Sequence, residues 1–286
     1  MGVTQNQLAR RSDHLGSSDM ATLFGLNPFQ TQYDLWLEKT DRLDKGLPDK
    51  PWLEAGNDFE PIVLKKAARE LGVLRKNQYR SLKGEGIPLA SHVDAIALDY
   101  DGAPVEAKTN GLFWPTQEQW GEPGTDEIPD RVMIQCQVHL ACTKASLCFV
   151  PALFWGLRFS MYQVEADLTI REMIFKRAIS WWQKHVIEDV APEGEVSLEK
   201  VRLVRREPEK SVPVSTDVVK LWRDCAAAAS AAEKAKENAL AEVLKALGDA
   251  EAGICSIGVV TYKLQHRAAY SVEEKDFRVA RFKKSE

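Results

Sequence analysis

The sequence has no apolar run that approaches the length of a bilayer span, so no transmembrane helix is expected. Its first residues, MGVTQNQLARRSD, contain no apolar stretch, so no secretory signal is expected, and Asn6 misses the myristoylation pattern. Cysteine is scarce and poorly spaced: Cys136, Cys142, Cys148, Cys225 and Cys255 make five, with no CxxC pair. The odd count argues against a disulfide framework and the spacing against a zinc site. The six-residue steps between the first three give no familiar iron–sulfur set. Buried free thiols in a reducing cytoplasm are the expectation. Excess positive charge is lacking too. A net charge of −4 and a pI near 5.9 argue against a protein that coats nucleic acid by bulk charge, and leave a local basic groove open. No internal repeat is visible.

What is present is globular material. With 44% hydrophobic and 28% charged residues over 286 positions, the chain can build one large core, or one domain plus an appendage. One stretch concentrates chemistry: Ser91 to Lys108, SHVDAIALDYDGAPVEAK. An apolar strand around Leu89 to Leu98 leads to an Asp101-Gly102 turn, and Val105-Glu106-Ala107-Lys108 reads as the return strand. Alternation in that strand puts Glu106 and Lys108 on one face, with Val105 and Ala107 toward the core. Asp94 on the preceding strand can face the same space. Two carboxylates and a lysine at a sheet edge suit a divalent cation with an ammonium beside it. On spacing alone, a Glu and a Lys two apart are more often two solvated residues on an open sheet face.

The remaining elements frame that stretch. Arg11, then Ser17-Ser18-Asp19 before Met20 to Gly25, read as a capped helix start that could hold an anion, or as an ordinary cap beside surface arginines. Thr31 to Lys39 looks helical, and a helix over Asp58 to Leu71 with Gly72 as its stop puts Glu60 in its first turn, just before Pro61. Thr109 to Arg131 is a long irregular segment with Trp114 and Trp120, which could stack on bases or pack back on the domain. Ile128 to Cys142 reads as a helix on which Gln135 and Gln137 face different directions. Ala145 to Phe154 and Leu157 to Val164 read as strands, and Leu168 to Ile187 as a helix. The order of elements predicts an α/β core, 1–190, with a central mixed sheet flanked by helices. A C-terminal extension, 191–286, would hold a linker, a long helix over Ser215 to Leu247, a short strand near Val259 to Leu264 and a basic tip at Arg278, Arg281, Lys283 and Lys284.

With these residues in view the first 190 residues resemble the YqaJ-like viral recombinases, grouped with phage lambda exonuclease in the PD-(D/E)xK nuclease superfamily. The resemblance rests on pieces in the family order: Gly16-Ser17-Ser18-Asp19, Leu26-Asn27-Pro28, Gly56 through Glu60-Pro61, Asp94, Glu106-Ala107-Lys108, Ile128-Pro129 and Gln135-Cys136-Gln137. It implies a restriction-endonuclease-like core. It implies that Asp94 and Glu106 are the main ligands of Mg²⁺, with Mn²⁺ able to substitute, and that the carbonyl of Ala107 is a backbone ligand. Glu60 would serve a second metal, Lys108 would hold or deprotonate the attacking water, and Gln135 would sit at the site. Arg11, Ser17 and Ser18 would bind a DNA 5′-phosphate; His92 stands where relatives carry a small hydroxyl residue, and Trp114 lies on the rim. The resemblance implies a 5′-to-3′ exonuclease on double-stranded DNA ends that leaves 3′ overhangs for a single-strand annealing protein. It also implies a homotrimer, acting in the cytoplasm of a bacterial host as a phage or prophage protein. A non-catalytic DNA-end or recombination-partner binding module and an endonuclease of the same superfamily are the alternatives.

Overall fold

The computed structural model describes residues 11–44, 51–110, 119–155 and 158–267. The chain divides into two compact units, Met1–Arg206 and Glu207–Glu286.

In the first unit a single 3₁₀ turn, Arg11–Asp13, leads into helix α1, Ser17–Leu23. The cap is Gly16 rather than one of the three residues after it: Ser17, Ser18 and Asp19 form the first turn, and Asp19 reaches back to accept from Gly16 N at 2.8 Å. Helix α2, Gln32–Lys39, is closed by a reciprocal capping box between Thr31 and Asp34. Helix α3, Pro51–Leu71, starts earlier than the sequence suggested, so Glu60 lies in its interior and not in its first turn. The proline at the favoured first position is Pro51. Pro61 interrupts the ladder, since it has no N–H to donate to the preceding turn. Gly72 ends α3 at φ +72°, and a Cβ there would lie 1.9 Å from the Asp99 carboxylate, so the stop requires glycine.

The sheet has six strands: β1 Leu74–Ser81, β2 Ala90–Ala97, β3 Ala103–Val105, β4 Lys108–Asn110, β5 Leu147–Phe154 and β6 Arg158–Glu165. β1 was not legible in the sequence, because LRKNQYRS shows no apolar alternation. It pairs antiparallel with β2 at the sheet edge, where exposed Arg75, Lys76 and Arg80 suit an unpaired strand side. Asp101 and Gly102 take φ +51° and +72° in the turn between β2 and β3. β3 and β4 follow one side of β5 in parallel and β6 lies antiparallel on the other, giving the expected mixed sheet. Helix α4, Asp130–Thr143, connects β4 to β5, and α5, Leu168–Trp181, runs on into a π-helical turn, Trp182–Ile187.

The return strand expected over Val105 to Lys108 is broken at Glu106–Ala107, and β5 supplies the reason. Its register with β3 and β4 is continuous: Val105 faces Phe149 and Lys108 faces Ala152. Glu106 N donates to Phe149 O at 2.9 Å, and Trp155 N to Asn110 O at 2.8 Å. Strand alternation therefore turns the backbone of residue 151 to the same side, and that residue is Pro151, which has no N–H to give. The ladder lapses where the chain must kink.

Three apolar clusters fill the unit. The largest joins α1, α2, α4 and α5 through residues such as Met20, Leu35, Val138 and Trp181. The second packs α4 on β5 and β6, and the third packs α3 on β2, β3 and β5. Trp120 belongs to the second, edge-on to Phe154 at 5.5 Å, so this loop tryptophan packs back on the domain. Cys136, Cys142 and Cys148 are buried, whereas Cys225 and Cys255 are exposed; all five are free thiols.

The first unit runs past residue 190, because a short helix α6, Leu198–Arg202, docks on α2. Buried Lys200 pairs with Glu38 at 2.5 Å, Asp44 N donates to Leu203 O at 2.7 Å and Arg205 N to Arg42 O at 2.8 Å. The second unit, taken by itself, carries helix α7, Thr216–Leu247, and a hairpin of β7 Ala252–Cys255 and β8 Gly258–Thr261. Among its described residues none is buried, and the stripe with Val218, Trp222, Leu240 and Val243 is exposed. The expected basic tip, with Arg278, Arg281, Lys283 and Lys284, lies outside the described residues.

Candidate active site

The kink after β3 sets the geometry. Once Ala107 leaves the ladder, its N–H donates to Asp94 Oδ2 at 2.8 Å and joins the two sequence segments that carry the carboxylates. Glu106 is 4% exposed and receives three side-chain donors. Lys108 Nζ lies 2.6 Å from its Oε1, Gln135 Nε2 lies 2.5 Å from the same oxygen, and His139 Nε2 lies 2.8 Å from Oε2. Gln135 Oε1 also accepts from Lys108 Nζ at 2.8 Å, closing a triangle of Glu106, Lys108 and Gln135. Gln137 points elsewhere, to the backbone of Glu165 and Asp167, as residues two positions apart on a helix must.

His139 and Ser91 are the residues the sequence reading missed. His139 is fully buried, and its Nδ1 meets the fully buried Ser91 Oγ at 2.5 Å. A carboxylate can only accept, so Nε2 carries the proton toward Glu106; in the neutral ring Nδ1 then accepts from the Ser91 hydroxyl. A relay thus runs from Ser91 on β2 through His139 on α4 to Glu106. The available signal was Gln135-x-x-x-His139, a spacing that puts both side chains on one helix face.

Asp94, Glu106, Ala107, Lys108 and, from α3, Glu60 line one cavity of about 360 Å³. Its electrostatics are divided. Burial lifts the Asp94 carboxyl well above the usual range, and the Glu106 and Glu60 carboxylates add to the lift. Burial opposes ionisation of Glu106 as well, but Lys108 and His139 outweigh it and hold that carboxyl at about 2. Burial pulls against the Lys108 ammonium, and the ion pair with Glu106 more than restores it, so Lys108 keeps its proton more firmly than a free lysine. Glu60 is half-buried and raised, by burial first and then by Glu106.

Asp94 and Glu106 lining one cavity, with a single ammonium paired to Glu106, are the donor chemistry of a hard divalent cation: the charge that burial asks Asp94 to cancel with a proton can be cancelled by metal instead. Ala107 lines the same cavity. Among the described residues no three His, Cys, Asp or Glu side chains cluster as a metal site.

Of the expected 5′-phosphate residues, Ser17, Ser18 and His92 are not in this lining. Ser17 is buried in the first turn of α1 and Ser18 is exposed there, where the Asp19 carboxylate, paired with Lys39 at 2.6 Å, already occupies the helix end. Arg11 is in the 3₁₀ turn before it. His92 is exposed on β2, two residues from Asp94 and hence on the same strand face, and it meets Tyr79 edge-on at 4.8 Å. Trp114 lies outside the described residues.

Residues 7–146 match the model of the YqaJ-like viral recombinase domain. The chain is 26% identical over 195 residues to the uncharacterized protein YqaJ of Bacillus subtilis (strain 168), a match covering 65% of this chain and 57% of that relative's length. In fold, the first unit is similar to an alkaline exonuclease (LHK-Exo) from Laribacter hongkongensis, at TM-score 0.50 and 14% identity, covering 65% of this chain and 94% of the other. Among the described residues no helix is long and apolar enough to cross a membrane. Over residues 7–146 the chain carries a YqaJ-like viral recombinase domain.

Proposed function

We propose that this protein is a metal-dependent deoxyribonuclease that degrades one strand from double-stranded DNA ends, 5′ to 3′, leaving 3′ overhangs for a single-strand annealing protein. The observation that carries the reading is the convergence of Asp94, Glu106 and Lys108 in one cavity, with Gln135 and His139 fixing Glu106. The LHK-Exo relative, described as an alkaline exonuclease, supports the same reading.

Asp94, Glu106 and the Ala107 carbonyl would hold Mg²⁺ or Mn²⁺, and Glu60 on the α3 side would serve a second ion. Such a cation neutralises phosphate charge and acidifies bound water. The chain does the rest. Gln135 and His139 hold both Glu106 oxygens in place, so the carboxylate need not reorganise during the reaction. Lys108, held protonated, supplies a fixed positive charge and, with two N–H groups on Glu106 and Gln135, one remaining Nζ donor for the attacking water. Arg11, Ser17 and Ser18 would receive the 5′-phosphate and set direction, with His92 and Trp114 on the rim. A homotrimer and a phage-type recombination role in the cytoplasm of a bacterial host complete the proposal.

Incubation with linear 5′-phosphorylated duplex and with closed circular duplex, in Mg²⁺ or EDTA, tests it. Metal-dependent loss of linear DNA alone is the expected result. Nicking of the circle would favour an endonuclease, and no cutting with Mg²⁺ or Mn²⁺ would favour a DNA-end binding module. Arg11→Ala should abolish preference for a phosphorylated end; an unchanged preference would remove Arg11 from the phosphate site.

A further inference from the structure

Three buried or half-buried lysines of the first unit come with carboxylates. Lys39 pairs with Asp19, Lys200 with Glu38 and Lys108 with Glu106. Arg131 is different. It is half-buried and lines the cavity that holds Asp94 and Glu106, yet among the described residues no acceptor, carboxylate or ring meets its guanidinium. Burial lowers its proton affinity, as expected for a cation taken partly out of water without compensation. Its place in the chain adds to the cost, for it is the second residue of α4 and sits at the positive end of the helix macrodipole, where cations are disfavoured. Nothing in local folding asks for arginine here: the neighbours that pack α4 on the sheet are Val132 and Cys136.

A position that is unfavourable for the free protein and opens on a cavity suits an anion brought from outside. The planar guanidinium offers paired donors that match two phosphate oxygens, and a negative ligand would remove both the desolvation and the dipole conflict at once. We infer that Arg131 is a phosphate-binding residue of this cavity, gripping a non-bridging oxygen of the DNA backbone beside the phosphodiester that faces Asp94 and Glu106. The inference rests on the nuclease reading for its choice of anion. It makes Arg131 the positive counterpart of the carboxylates: the carboxylates take the cation and Arg131 takes the backbone, so the strand is held on both sides of the bond to be cut.

The test uses full-length protein, wild type, Arg131→Gln and Arg131→Lys, with fluorescent 5′-phosphorylated duplex in Ca²⁺ across a salt series. Arg131→Gln should weaken binding about tenfold and lower the slope of log K against log salt by about one, with Arg131→Lys recovering part of both. Thermal denaturation of the same variants supplies a readout that a structural arginine would move the other way. Loss of an uncompensated charge should leave Tm unchanged or raise it. Unchanged affinity and slope in Arg131→Gln, or a clear fall in its Tm, would overturn the assignment. Wild-type protein that binds duplex but does not cut it in Mg²⁺ would defeat the nuclease reading and leave Arg131 to be judged on binding alone. Wild-type cutting with an unaffected Arg131→Gln variant would defeat only Arg131.

Discussion

Replacing His139 with alanine removes the centre of the Ser91–His139–Glu106 relay. Two partners lose their hydrogen bond, at 2.5 Å from Ser91 Oγ and 2.8 Å from Glu106 Oε2, and all three residues are buried. Each buried group left unpaired costs about 1–3 kcal/mol, more for the carboxylate, and the vacated ring volume adds a cavity cost. The sum is about 3–5 kcal/mol. At roughly 2–4 °C per kcal/mol for a unit of this size, Tm should fall by about 6–20 °C. His139→Gln keeps a donor for Glu106 and should lose about half as much. Ser91→Ala strands only Nδ1, at about 1–2 kcal/mol. Because the three act in series, the Ser91→Ala/His139→Ala double variant should be less destabilised than the sum of the singles. The assay is thermal and urea denaturation of the four proteins beside wild type. A Tm for His139→Ala within a degree of wild type, or strict additivity in the cycle, would refute the relay.

Three further outcomes follow from the same geometry. Burial, with the Lys39 ammonium nearby, pulls the His14 imidazole from 6.5 down to about 4. The unfolded chain therefore takes the proton first as pH falls, so His14 contributes full stability above pH 6.5 and loses it progressively down to about pH 4. The loss is at most about 3 kcal/mol, and His14→Gln should remove it from a stability–pH profile; an identical profile would exclude His14. Asp94→Asn should raise Tm at pH 7 while abolishing calorimetric Mn²⁺ binding, because burial and two neighbouring carboxylates raise the Asp94 carboxyl; the stabilisation should fade at low pH, where Asp94 itself is protonated, and a lower Tm at pH 7 would contradict the charge argument. Lys200→Ala removes the buried half of a 2.5 Å ion pair, leaving half-buried Glu38 with its bond from Gln30, and should cost about 1–2 kcal/mol in the first unit. A loss under about half a kcal/mol would mean that residues 198–206 are not integral to that unit.

Much of the core was legible because its signals are local. The apolar run of β5, the Asp101-Gly102 turn, and the helices that became α2, α4 and α7 were read from periodicity and punctuation. What escaped depends on partners distant in sequence. The polar strand β1 is held by its pairing with β2 and has no alternation of its own. The break at Glu106–Ala107 answers to Pro151, which sits opposite it across the sheet. The start of α3 at Pro51 was hidden because Pro61, inside the helix, mimics a helix opening. The first unit extends past residue 190 because of contacts made by Lys200 and Leu203, which a charged stretch with proline and glycine does not advertise. At the site, Asp94, Glu106, Lys108 and Gln135 were nominated from sequence and meet in space or share a wall, whereas His139 and Ser91 carry no chemistry until folding joins them.

The central claim is that the Asp94–Glu106–Lys108 cavity cuts DNA. Its most direct test is the rate at which wild-type and Lys108→Ala protein degrade a linear 5′-phosphorylated duplex in Mg²⁺, with duplex binding in Ca²⁺ measured on the same samples. Lys108→Ala should bind within a few-fold of wild type and cut at least about a hundredfold more slowly. Equal cutting by the two proteins would contradict it.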